Sequence, residues 1–150
     1  MKISIKKMLI SLALLLSVIG TASVPVSRVR ADTPNYGDYL SGKDPEAVGA
    51  SADAITVATA NGPGYQVQLR WSPKYKANWA RIVVYPTKLI FSMAIQAEQD
   101  TGYTQIHYFS AYEGVYYTPM IYSPVHKVRA LAWVTNMEPG HMGAVFTSWV

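Results

Sequence analysis

Gly64-Tyr-Gln-Val-Gln-Leu-Arg-Trp-Ser-Pro-Lys-Tyr-Lys-Ala-Asn-Trp-Ala-Arg-Ile-Val-Val-Tyr-Pro86 decides the fold class. Its first half alternates strictly: Tyr65, Val67, Leu69 and Trp71 point one way, and Gln66, Gln68 and Arg70 the other. That is the period of a strand with one buried and one wet face. Ser72-Pro73 stops the run, because proline donates no N–H and holds a turn dihedral. Lys74 to Asn78 make a polar loop, and Trp79 to Tyr85 return as a strand rich in β-branched residues.

Upstream, Ala52–Ala60 reads as a further strand, with Ala54, Thr56 and Ala58 opposite Ile55, Val57 and Thr59. The turn Asn61-Gly-Pro-Gly64 joins it to Tyr65–Trp71 as a hairpin. Downstream, Lys88–Gln99 alternates with Leu89, Phe91, Met93, Ile95 and Ala97 on one face. A helix competes there on propensity, but the unbroken period of two favours a strand. Tyr103–Ser110, Val115–Tyr122, Lys127–Thr135 and Ala144–Val150 complete the set. In Lys127–Thr135, Val128, Ala130, Ala132 and Val134 oppose Lys127, Arg129, Leu131 and Trp133. Pro119 inside one strand argues for a sheet edge or a bulge. The expectation is a single-domain, all-β antiparallel sandwich or small β-barrel.

Ahead of this lies a leader. Lys2, Lys6 and Lys7 precede the apolar run Met8–Ile19, and Val29 and Ala31 suit a signal-peptidase site. Residues 1–31 are therefore expected to be a signal peptide cut after Ala31. The apolar run falls short of the roughly 20 residues that span a bilayer, so no stable membrane anchor is expected. Residues 32–51 read as an extended or irregular arm, and 52–150 as the folded domain.

Five of the 13 Lys/Arg residues lie in the leader and all nine Asp/Glu lie beyond it, which leaves eight cations against nine acids, a net charge of −1. With no basic stripe for a phosphate backbone, nucleic acid is not an expected partner. The chain has no cysteine, so packing alone must hold the exported domain.

Two stretches resemble a known family. Gly42-Lys-Asp-Pro-Glu-Ala-Val-Gly-Ala-Ser-Ala-Asp-Ala-Ile-Thr-Val57 and Val67-Gln-Leu-Arg-Trp-Ser-Pro-Lys-Tyr-Lys-Ala-Asn-Trp-Ala-Arg-Ile82 are similar to the YjfA-like small secreted domain of unknown function from Gram-positive bacteria. The likeness is looser over Tyr117–Trp133. It implies no established activity and no catalytic residues. It also implies a missing bridge: Ala50 and Tyr75 stand where the family pattern carries cysteines. Such a bridge would contribute roughly 3.5 kcal/mol on the chain-entropy model. Burial of the Tyr75 ring near Ala50 would recover part of that.

Enzyme signatures are absent: there is no Gly-x-Ser-x-Gly, no phosphate-cradling glycine loop and no cysteine nucleophile. His107, His126 and His141 have no ligand spacing, so no metal or cofactor is expected. Asp53, Glu98, Asp100 and Glu113 could supply a carboxylate pair for glycoside cleavage, but any β-fold offers such pairs by chance. Asp53, Arg70, Trp71, Trp79 and Arg81 are expected to be structural. For the charged ones among them, a solvated sheet face with cross-strand ion pairs is favoured over a polar cluster that fixes register or lines a groove.

The tyrosines are the remaining excess. Tyr103, Tyr108, Tyr112, Tyr116, Tyr117 and Tyr122 fall within 20 residues, and adjacent Tyr116 and Tyr117 must face opposite ways. They serve either as core and cross-strand filler or as a binding face. On the second reading Tyr108, Tyr112, Tyr116 and Tyr117 are the candidate ligand-binding residues, with a cell-wall glycan or a surface protein as partner. The alternative class is a bacteriocin-like effector acting on competing cells or their membranes.

Overall fold

The computed structural model describes residues 37–86, 91–111, 113–136 and 142–150. The leader, residues 32–36, Leu89, Tyr112 and His141 lie outside them. Nine strands form two antiparallel sheets: β1 Ile55–Gly62, β2 Tyr65–Ser72, β3 Ala77–Val84, β4 Phe91–Gln99, β5 Thr104–Ala111, β6 Gly114–Tyr117, β7 Ile121–Tyr122, β8 Val128–Asn136 and β9 Met142–Phe146. One sheet runs β1-β2-β3-β6, with β7 also on β3, and the other runs β5-β4-β8-β9. Among the described residues no strand of one sheet pairs with the other, so the architecture is a sandwich and not a barrel.

Alternation builds the core. Val67 and Leu69 of β2, Ala80, Ile82 and Val84 of β3, Met93, Ile95 and Ala97 of β4, and Val128, Ala130, Ala132 and Val134 of β8 are buried together between the sheets. The β1–β2 hairpin turns at Pro63-Gly64. Gly64 has φ +80°, which after proline is the geometry of a type II turn.

Three local expectations are corrected. The first strand starts at Ile55 instead of Ala52, because Ala50–Asp53 is a 3-10 turn. A register shift between Thr56 and Ala58 then breaks the expected alternation, leaving Val57 and Ala58 both half-buried against the core. At the C-terminus β9 ends at Phe146. The tail stays on β8 irregularly, through Thr147 N–H to Ala130 O (2.9 Å) and Val150 N–H to Val128 O (3.1 Å).

The third correction concerns the arm. From residue 37 it is not a loose extension: it makes two 3-10 turns, Asp38–Leu40 and Ala50–Asp53, and buries Leu40, Pro45 and Ala50. These residues form a second apolar cluster on the outer side of the first sheet. Leu40, Ala50, Ala77, Trp79 and Met120 are buried there, with Tyr75, Tyr117 and Tyr122 packed against them. Trp79 therefore lies at 2% exposure on the strand face that alternation assigns to water. Tyr75 shares the cluster with Ala50, and its hydroxyl stands 3.7 Å from where a Gly49 Cβ would be.

Thr118 closes the sheet where Pro119 interrupts it. Its N–H donates to Ala80 O (2.9 Å), and its Oγ1 accepts from Ala80 N–H (3.1 Å). A single residue thus replaces the ladder between β6 and β7.

Candidate ligand-binding face

The structure separates the candidate tyrosines. Tyr116 points between the sheets and stacks on Phe109 of β5, with ring centroids 4.0 Å apart and planes at 13°. Tyr117, on the opposite face of β6, packs into the cluster beneath the arm. Both are half-buried, and with His107, Asp44, Val115 and Pro119 they line a cleft of about 260 Å³. Burial, with the carboxylates of Asp44 and Glu46 nearby, raises the Tyr117 pKa above the ordinary tyrosine range. Tyr108 lies elsewhere, on the outer face of the second sheet, 75% exposed. No shared tyrosine face exists among these three.

Tyr108 instead belongs to a different aromatic set. Across β5, β4 and β8 the register aligns Tyr108, Ala94 and Trp133, and β9 continues the row with Ala144. Residues opposite one another in register share a sheet face. The next row holds Ile106, Gln96, Leu131 and Phe146. Trp133 is 38% exposed, Phe146 48% and Trp149 38%. Leu131 and Gln96 are buried, so the rings stand on a packed floor. Arg129 braces the far end, its guanidinium 4.5 Å from the Trp149 ring centroid and 5.4 Å from that of Phe146. Glu98 fixes Arg129 in turn, Oε2 accepting from Nε at 2.8 Å with Nη2 also at ion-pair distance, 2.8 Å.

Sequence reasoning overlooked Trp133, Phe146 and Trp149 because it weighed tyrosines alone. The signal was present: Trp133 falls on the side of its strand opposite Val128, Ala130, Ala132 and Val134, where alternation expects polar residues.

The arginines of the first sheet also depart from expectation. Among the described residues neither Arg70 nor Arg81 has a carboxylate at ion-pair distance. Arg70 donates to Thr56 Oγ1 (2.6 Å) and Ala54 O (2.8 Å), tying β2 to the start of β1. Arg81 donates to Gln68 Oε1 (3.0 Å), and Gln68 donates on to Gln66 Oε1 (2.7 Å). Burial, then the neighbouring Arg81, lowers the Arg70 pKa, with Glu46 acting in the opposite direction. Side-chain hydrogen bonds stand here in place of the expected ion pairs.

Two further acids, Asp53 and Asp100, hold structure. Asp53 accepts from Ser72 Oγ (2.6 Å) and Lys74 N–H (2.8 Å), linking the turn before β1 to that after β2. Asp100 pairs with His126 Nδ1 (3.0 Å) and accepts from Lys127 N–H (3.2 Å). Trp71 is half-buried at the sandwich end, beside Val57, Asn78 and the Ser123–Lys127 loop, in a cleft of about 350 Å³. Among the described residues no cluster of three metal-ligating side chains occurs, and no helix is long and apolar enough to cross a membrane.

No curated protein and no solved structure matches the chain. A family model does, over residues 39–131, which span the arm, the first sheet and the second sheet as far as Leu131 of β8. On that match the chain belongs to the family described as "Protein of unknown function (DUF2690)".

Proposed function

We propose that this is an exported, non-enzymatic binding domain that engages a cell-surface ligand through the outer face of its β5-β4-β8-β9 sheet. One observation carries the reading: four aromatic rings, Tyr108, Trp133, Phe146 and Trp149, share one sheet face and remain open to solvent. Exposed aromatic groups on a rigid sheet supply large contact area at little entropic cost. The leader supports export. The engagement of Asp53, Glu98 and Asp100 with structural partners speaks against a working acid–base pair.

The test is retention. Protein recovered from the culture medium is mixed with washed cell walls and, separately, with lipid vesicles, and each pellet is assayed. Retention on walls that Tyr108→Ala abolishes is the expected result. Retention on vesicles alone transfers the protein to the membrane-active class, and retention on neither removes the binding reading.

A further inference from the structure

The geometry points to an extended, uncharged, β-linked pyranose chain as the ligand of this face, an inference that rests on the binding reading above and specifies its chemistry. Three features of the face select that class.

The first is the placement of the rings. Tyr108 and Trp133 lie two strands apart with the small Ala94 between them, a separation of roughly 9.5 Å at the usual strand spacing. Phe146 lies one strand and one row further on, roughly 7–8 Å diagonally from Trp133. Trp149 follows beyond Arg129. The rings thus run from β5 across the sheet to β9 and the tail, spaced on the scale of one to two sugar units, with Ile106 partly exposed beside Tyr108. β-linked pyranoses with equatorial substituents expose flat C–H faces to such rings, whereas α-linked helical polymers curve away.

The second is the row beside them. Ser110, Ser92 and Thr135 align across β5, β4 and β8, and all three are exposed. Hydroxyls both donate and accept, which suits the hydroxyl rim of a sugar ring stacked on the neighbouring row. Acyl chains would gain nothing from them.

The third is charge. Among the described residues, the charged side chains within the paired rows of this face are Glu98 and Arg129, which neutralise each other, while Lys127 lies beyond the last paired row, at the end away from Tyr108 and Trp133. A phosphate-bearing wall polymer or an anionic lipid surface would call for unpaired cations, roughly 1 kcal/mol for each. An uncharged chain needs none.

Pull-down on insoluble polysaccharides tests this, with colloidal chitin, amorphous cellulose, insoluble starch and phosphatidylglycerol vesicles as probes. The expected result is retention on chitin or cellulose, insensitive to salt and competed by the matching soluble oligosaccharide, with none on starch or vesicles. Comparison of chitin with cellulose shows whether the acetamido group is needed. Tyr108→Ala and Trp133→Ala should each weaken retention at least about tenfold, enough to clear the protein from the pellet, while Tyr85→Ala, an exposed tyrosine outside this face, should not. Melting curves for each variant separate lost binding from lost folding, and Tyr108→Phe, which keeps the ring, should still bind. Retention on washed walls without retention on either β-linked polymer overturns the glycan inference and leaves the binding reading intact. Salt-sensitive retention on vesicles, or equal retention on starch, also overturns it. Absence from every pellet, walls included, overturns both.

Discussion

The ring of Tyr116 lies flat against that of Phe109, 4.0 Å between centroids, and so joins the edge strand of one sheet to the edge strand of the other. His107 sits 5.7 Å from Phe109 and 6.4 Å from Tyr116, closing that side of the sandwich with three rings. Tyr116→Ala should therefore destabilise the fold by about 2–4 kcal/mol, in the range for large-to-small core substitutions. A double-mutant cycle with Phe109→Ala should give a coupling of about 0.5–1.5 kcal/mol. Additive losses in denaturant unfolding would show that the stack carries no energy of its own.

Gly62 faces Tyr65 across the first hairpin, and a Cβ built on Gly62 would overlap the phenol end of the Tyr65 ring. Tyr65 is 2% exposed and belongs to the main core, so its ring has little room to yield. Gly62→Ala should cost about 1–3 kcal/mol through overpacking. The cost should shrink in a Tyr65→Leu background, where the ring is gone. An unchanged melting temperature for Gly62→Ala alone would contradict the close approach.

Burial holds the Tyr65 phenol above its ordinary pKa of 10.0, and Tyr117 is raised in the same sense. In each case the unfolded chain loses its proton first. The stability they contribute is complete below about pH 10 and is lost as pH rises through the raised folded values. Denaturant midpoints should fall across that window, in step with late-titrating tyrosinate absorbance, and Tyr65→Phe should flatten the fall. A flat alkaline profile, with every tyrosine titrating normally, would refute the burial of these phenols.

Strand periodicity exposes the sandwich core residue by residue, because each of β2, β3, β4 and β8 buries its interior-facing alternate positions between the sheets. It fails where a third layer is added. Trp79 and Tyr117 look like wet-face residues until the arm from residue 37 folds over them, and Gly- and Pro-rich turns carry no periodicity that would announce such a roof. The bulge at Val57 was hidden for a related reason: one extra residue moves half a strand to the other face without changing its composition. The proposed binding face is half visible in the sequence. Tyr108 stood out by its neighbours in sequence, yet its spatial neighbours are Trp133 and Phe146, brought alongside by strand register and by no local pattern. Adjacent Tyr116 and Tyr117 are correctly placed on opposite faces, and each packs half-buried against an apolar cluster.

Tyr108→Ala and Tyr116→Ala, measured side by side for thermal stability and for retention on washed cell walls, separate the open ring from the packed one. Tyr108 is 75% exposed, so its truncation should leave stability within about 0.5 kcal/mol of wild type while removing the protein from the wall pellet. Tyr116→Ala should do the reverse, melting earlier yet still pelleting wherever it remains folded. A Tyr108→Ala protein that melts and pellets like wild type would contradict the assignment of the β5-β4-β8-β9 outer face as the binding surface.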